Sequence, residues 1–218
     1  MSKKSKRPQS WNNKRVSTRK AEELARLASL QLLQDRAKQA NQQLMAGDFE
    51  GTVKSCQLLL NLLPQRALLR AEVLSYMGLA YGMLQQFPQS YEALTEAVSI
   101  SPDDPNLWYN RGLASRYTIR FGQSLRDYER AVELAGTGEL AKKAAIDLKI
   151  ARDLAQKSIK LRGEGFTLDD LIEQEELFQR GLKMMEDEQW EEAEQAFRQS
   201  IEMGDCLPQP WCNLVFAS

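Results

Sequence analysis

An all-α fold of stacked helical hairpins, a solenoid, is predicted by three observations. The segment "FGQSLRDYERAV" at 121–132 repeats "FPQSYEALTEAV" at 87–98, 34 residues earlier, with Phe87/Phe121, Gln89/Gln123, Ser90/Ser124, Ala97/Ala131 and Val98/Val132 identical. The shared residues follow helical spacing. The match also extends upstream, Leu74 aligning with Trp108 and Gly78 with Gly112, so the repeating unit is longer than one helix.

Composition agrees with a water-exposed helical protein and removes several function classes. The 218 residues are 43% hydrophobic and 27% charged, with a mean hydropathy of -0.49. No run of about 18 apolar residues is present to span a bilayer, and no apolar signal-peptide core follows the basic start, so a cytoplasmic location without membrane contact is expected. The chain has no His, which removes the usual general base and the commonest zinc ligand. Cys56, Cys206 and Cys212 show no C-x-x-C spacing and read as buried free thiols.

Along the chain, residues 1–22 are expected to be a disordered basic tail. Residues 1–20 carry eight Lys/Arg and no acid, whereas the rest carries 21 basic and 30 acidic residues. Lys3, Lys4, Lys6, Arg7, Lys14 and Arg15 would be phosphate contacts and Trp11 a stacking residue if the tail touches nucleic acid. An acidic partner or the acidic body are the other candidates for the tail. Residues 23–138 form a first array with units starting near 33, 71 and 105. In unit one, "AGDFEGTVKSCQLLLNLLP" places Phe49 at the turn, Thr52 at a small position and Pro64 at the stop. In unit two, a helical stretch from Leu74 to Leu84 meets the break "QQFPQ", and a second from Ser90 to Ile100 ends at "SPDDP".

Glycine at 78, 112 and 181 faces Ser90, Ser124 and Ala193, which lets antiparallel helices approach to about 8–10 Å. Phe87, Phe121 and Trp190 fill the corner of each hairpin, and Ala97 and Ala131 admit the next unit. The frame requires a unit at 139, but "ELAKKAAIDLKIARDLAQKSIKLRG" runs without a break. Thr167 is an N-cap with Asp170 three residues on, so a new helix starts near Leu168. Residues 139–173 are therefore expected to hold two long antiparallel helices in place of an ordinary unit, with a hinge near Gly163 and Gly165 between sub-arrays 33–161 and 166–218. Residues 174–218 resume the frame with Leu177, Gly181, Trp190, Ala193 and Phe197. The chain stops within a first helix bearing Trp211, Leu214 and Phe216, which implies truncation, self-association through that helix, or fraying.

These units resemble the tetratricopeptide repeat family, whose signature is W-x2-L-G-x2-Y, A-x3-F, P over 34 residues. Unit two keeps Gly78, Tyr81, Ala97 and Pro102, unit three keeps Trp108, Gly112, Tyr128 and Ala131, and unit four keeps Gly181, Ala193 and Phe197. Arg111 and Arg180 stand where Leu is expected, and Val215 replaces a glycine.

The resemblance implies a right-handed superhelix whose first helices line a concave groove for a peptide or partner protein. Projected onto this chain, the groove carries Ser75, Leu79 and Met83, then Tyr109, Asn110, Leu113 and Tyr117, then Phe178, Leu182 and Met185. Tyr and Met offer large adaptable contact area and an Asn amide can pair with a peptide backbone. The branch that grips C-terminal carboxylates uses Lys or Arg beside Asn; Ala37, Asn41, Asn106 and Asn110 fill those places here, and without the cations that specificity is rejected.

The remaining motifs carry no catalytic or cofactor chemistry. "GTGEL" at 136–140 and "RGEGF" at 162–166 lack the Lys-Ser/Thr of a phosphate loop and read as helix boundaries. Glu186, Asp187, Glu188, Glu191, Glu192 and Glu194 have no fixed ligand spacing and read as a solvated face. The expected function is a non-enzymatic interaction scaffold with no cofactor or metal; the alternative is a nucleic-acid-associated adaptor using the basic tail.

Overall fold

Four hairpins among the described residues close through the same turn. The computed structural model describes residues 9–204. Nine helices and no strand occur among the described residues: α1 (Gln9–Met45), α2 (Phe49–Leu60), α3 (Leu68–Met83), α4 (Phe87–Ile100), α5 (Pro105–Tyr117), α6 (Phe121–Ala135), α7 (Glu139–Arg162), α8 (Leu168–Glu186) and α9 (Trp190–Met203). Between α1–α2, α3–α4, α5–α6 and α8–α9, a left-handed residue (Gly47 φ 81°, Gln85 60°, Ile119 60°, Glu188 58°) stands two places before the second helix. The next amide, of Asp48, Gln86, Arg120 or Gln189, donates to the carbonyl of Gln43, Tyr81, Ser115 or Met184 at 2.8–2.9 Å. That bond occupies a carbonyl the ending helix leaves unpaired. Phe49, Phe87, Phe121 and Trp190 are thereby the first residues of the second helices, at the corners where the sequence puts them.

Across the α3–α4, α5–α6 and α8–α9 hairpins a glycine of the first helix faces a large, fully buried residue of the second. A Cβ at Gly78 would lie 2.6 Å from Leu94 Cγ, one at Gly112 3.1 Å from Tyr128 Cε1, and one at Gly181 2.4 Å from Phe197 Cε1. Leu94, Tyr128 and Phe197 are 1%, 0% and 0% exposed, and burying each such side chain contributes roughly 1.5–3 kcal/mol. The glycines therefore make room for these residues, and the small residues one turn earlier act differently. Ser90 Oγ donates to the Gly78 carbonyl at 2.8 Å and Ser124 Oγ to the Gly112 carbonyl at 2.9 Å, tying the pair together where no Cβ intervenes.

Stacking then joins the units. Ala37 and Ala40 of α1 pack with Cys56 and Leu59 of α2 and with Val73 of α3. Ala97 and Val98 of α4 meet Leu107 of α5, and Ala131 of α6 meets Ala144 and Ala151 of α7. α1 is far longer than its partner α2, and Leu24, Leu27 and Leu30 on its overhang are 58%, 56% and 46% exposed. The helix also starts at Gln9, inside the segment expected to be disordered, because no Gly or Pro interrupts the sequence between Pro8 and Gly47.

α7 takes the place of the missing unit alone. It lies along α6 on buried Ala144, Ala151 and Ala155, and Asp147 accepts from Tyr109 Oη at 2.8 Å and pairs with Arg116 Nη1 at 3.1 Å. Gly163 (φ 99°) and Gly165 (φ 88°) then turn the chain, and Thr167 with Asp170 forms the capping box that starts α8. The expected long antiparallel pair of α7 and α8 does not form. α8 pairs with α9 and rests on the turn ends of earlier hairpins: Ile172 and Leu171 sit against Gly122, Gln179 Nε2 donates to the Thr118 carbonyl at 2.8 Å, and Lys183 pairs with Glu92 at 2.9 Å.

Arg111, the departure from the repeat signature, is 8% exposed and forms a two-pronged ion pair with the fully buried Asp127: Nε to Oδ2 at 2.9 Å and Nη2 to Oδ1 at 2.5 Å. Gln123 and Ser115 supply further bonds to the same carboxylate, at 2.7 and 3.3 Å. Arg111→Leu leaves Asp127 buried without its counter-charge and should cost about 3–5 kcal/mol in urea unfolding. Gly181→Ala should destabilise by about 1–3 kcal/mol because the new methyl meets the Phe197 ring, even though alanine favours a helix by about 1 kcal/mol.

Candidate functional site

A hollow of about 320 Å³ lies between the first helices α3 and α5, beside the start of α4. Its floor is the close-packed hairpin contact itself, formed by Gly78, Ser90, Leu94 and Ala114. Leu79 and Met83 of α3 face Asn110, Leu113 and Tyr117 of α5 across it. Phe87 closes the turn end, its ring stacked on Tyr117 with centroids 4.3 Å apart and planes 10° apart. No lining residue carries a charge.

Within this apolar wall the half-buried Asn110 amide has no hydrogen-bond partner among the described residues. An amide so placed has one acceptor and two donor hydrogens free for a ligand. Met83 and Tyr117 are 62% and 55% exposed, so they meet solvent at the mouth.

The other groove residues expected from the sequence lie elsewhere. Ser75 is half-buried on α3 and does not line the hollow. Tyr109 is a core residue, not a groove residue: it is 6% exposed, packs on Tyr128 at 5.6 Å and donates to Asp147 of α7. Phe178 is likewise in the core, packed on Phe197 at 5.9 Å. Leu182 and Met185 pack beside them, and Leu182 also lines a separate polar hollow of about 220 Å³ with Glu92, Arg120 and Lys183. Because α8 turns onto the hairpin ends, its residues do not continue the α3–α5 wall. Ala37, one of the carboxylate-grip positions, is buried between α1 and α2.

Sequence reasoning assigned Phe87 to the corner and missed its second face, which walls the hollow. It also missed Glu175, 6% exposed, whose Oε1 accepts from the Phe121 amide at 2.7 Å. Glu175 does not stand out by spacing, and the spacing of Phe87 reports its corner but not the contact with Tyr117 of the next unit. Lys3, Lys4, Lys6 and Arg7 lie outside the described residues, as do Cys206, Trp211, Cys212, Leu214, Val215 and Phe216. Trp11, Lys14 and Arg15 fall on the backbone of α1, but their side chains lie outside the described set. Cys56 is a buried free thiol, and burial pushes its pKa up to about 12. Among the described residues no group of three His, Cys, Asp or Glu is placed to hold a metal, and no helix is long and apolar enough to cross a membrane.

Paired helices in this register define a helical-repeat solenoid. No family model and no curated protein matches the sequence. Among solved structures, the chain is similar to the Sgt2 TPR domain from Aspergillus fumigatus, at 16% identity and a TM-score of 0.50, over 59% of this chain and 82% of that one. A tetratricopeptide repeat protein from Parabacteroides merdae matches at 12% identity and a TM-score of 0.46, over 85% of this chain and 84% of that one. The quorum sensor NprR from B. thuringiensis matches at 10% identity and a TM-score of 0.48, over 93% and 65%. The chain has a helical-repeat fold of the tetratricopeptide type.

Proposed function

We propose that the protein is a non-enzymatic scaffold that binds a peptide or a partner protein in the hollow between α3 and α5. The observation that carries this reading is the unpartnered Asn110 amide inside an uncharged apolar wall with Met83 and Tyr117 at its mouth. An apolar side chain of the partner fills the space over Gly78 and Leu94, and the partner's backbone bonds to Asn110, which fixes its direction. Burial of apolar area supplies the affinity, and a single backbone–amide pair supplies register. The absence of cations from the lining disfavours a free carboxylate as the anchor.

The test is selection of binding peptides from a displayed random library on the wild-type protein, followed by titration of the selected peptides. Met83→Glu should weaken binding tenfold or more by placing a charge in the mouth, and Asn110→Ala should weaken it about fivefold through loss of about 1 kcal/mol. Helical circular dichroism should stay unchanged in both, since neither side chain is in the core. Binding unaffected by both substitutions would move the site away from this hollow.

A further inference from the structure

α7 carries apolar residues on two opposite faces. Ala144, Ala151 and Ala155 are buried against α6, while on the outer face Ile146, Ile150 and Leu161 are 66%, 44% and 70% exposed. The spacing of Lys143, Ile146, Ile150, Lys157 and Leu161 sets them along one line of the helix. Aligned apolar side chains of this size on an exposed face mark a contact surface, where scattered single ones would not. The charge of α7 is also the reverse of its surroundings. It holds seven Lys and Arg against three acids, in a body where residues 21–218 carry 21 basic and 30 acidic residues. Of those acids Asp147 is held by Tyr109 and Arg116, and Glu139 lies by Lys142, which leaves Asp153 on the rim. Lys149, Lys157 and Lys160 are exposed and have no ion-pair partner among the described residues.

The complement of this face stands at the α8–α9 turn. Residues 186–194, "EDEQWEEAE", hold six acids and no cation. Glu188, Glu191 and Glu192 are exposed without an ion-pair partner among the described residues, and Lys183 nearby is held by Glu92. Trp190, in their midst, is 45% exposed, whereas the corner aromatics of the other hairpins, Phe49, Phe87 and Phe121, are better covered. Within one chain α9 makes no contact with α7. We propose that α7 of one copy binds the α8–α9 turn of a second copy, with Trp190 lying on Ile146 and Ile150 and with Glu188 and Glu191 meeting Lys149 and Lys157.

Charge selects this occupant over the other apolar surfaces of the chain. A second α7 would set lysines against lysines. The exposed leucines of α1, Leu24, Leu27 and Leu30, stand among Glu22, Glu23, Lys20 and Arg26, which offer those lysines no net counter-charge. At the turn, by contrast, an apolar centre is ringed by charge of the opposite sign, so the aromatic ring supplies affinity and the rim fixes orientation. The contact joins unlike surfaces and leaves a free turn at one end and a free α7 at the other, so it propagates into a chain or closes into a ring. It leaves the hollow between α3 and α5 open, since no lining residue of that hollow comes from α7, α8 or α9.

The test is analytical ultracentrifugation of the full chain over a concentration series at low and high salt. The wild type should self-associate, and less so as salt rises. Lys149→Glu with Lys157→Glu, and separately Glu188→Lys with Glu191→Lys, should each weaken association about tenfold or more. Mixing the two variants should restore it, because each then offers the charge the other lacks. In an equal mixture of isotope-labelled and unlabelled wild type, a zero-length carbodiimide cross-linker should join Lys149 or Lys157 of one copy to Glu188 or Glu191 of another. A wild type that stays monomeric, association untouched by the reversals or not restored by mixing, or the absence of those cross-links between copies would overturn the contact. The cross-linking is made on the wild type, so it decides the matter even where a variant fails to fold.

Discussion

The fold rests on one contact made three times among the described residues: a glycine on the first helix of a hairpin set against a large, fully buried side chain of the second. At Gly78, Gly112 and Gly181 the missing Cβ is the space that Leu94, Tyr128 and Phe197 occupy. With the helices that close, Ser90 and Ser124 reach the glycine carbonyls and the shared turn becomes the shortest connection between the two helix ends. Each hairpin then presents alanines, such as Ala97 and Ala131, for the following helix to pack on. The hollow between α3 and α5 is a consequence of the same contact, since Gly78, Ser90 and Leu94 are its floor.

The stack changes direction where that contact is missing. α7 makes no such glycine contact and has no turn aromatic, so it closes the first array as a single helix laid on α6 and is fixed through Asp147 to Tyr109 and Arg116. α8 and α9 restore the contact between themselves through Gly181 and Phe197, but they rest on the turn ends instead of extending the row of first helices. A different glycine, Gly122, makes that crossing possible. The hollow is therefore lined by α3, α4 and α5 and does not extend to α8.

Contacts made within one unit were legible in the sequence, and those made between distant units were not. The 34-residue frame located the glycines and the corner aromatics, and the capping pattern with Asp170 located the Thr167 cap, because each is specified by residues near it in the chain. The same frame put Leu79, Met83, Asn110, Leu113 and Tyr117 on one surface, and the structure brings these five together around one hollow. Tyr109 was misplaced because its fate depends on Asp147, 38 residues on, in a helix that obeys no frame. Phe178 was misplaced for a related reason, as the projection assumed that α8 continues the row. Arg111 looked like a flaw in the signature, and its meaning appears only with Asp127 beside it. Helical periodicity reports which face is apolar and is silent on which neighbour covers it.

The most direct test of the glycine contact is a double-mutant cycle on Gly78→Ala and Leu94→Ala, followed by urea unfolding. The two positions touch, so the methyl added at 78 should be harmful beside Leu94 and harmless once Leu94 is truncated, giving a coupling energy above about 1 kcal/mol. Strictly additive effects would mean that the helices are not held at this distance by that pair, and the account of the fold and of the hollow built on it would fail.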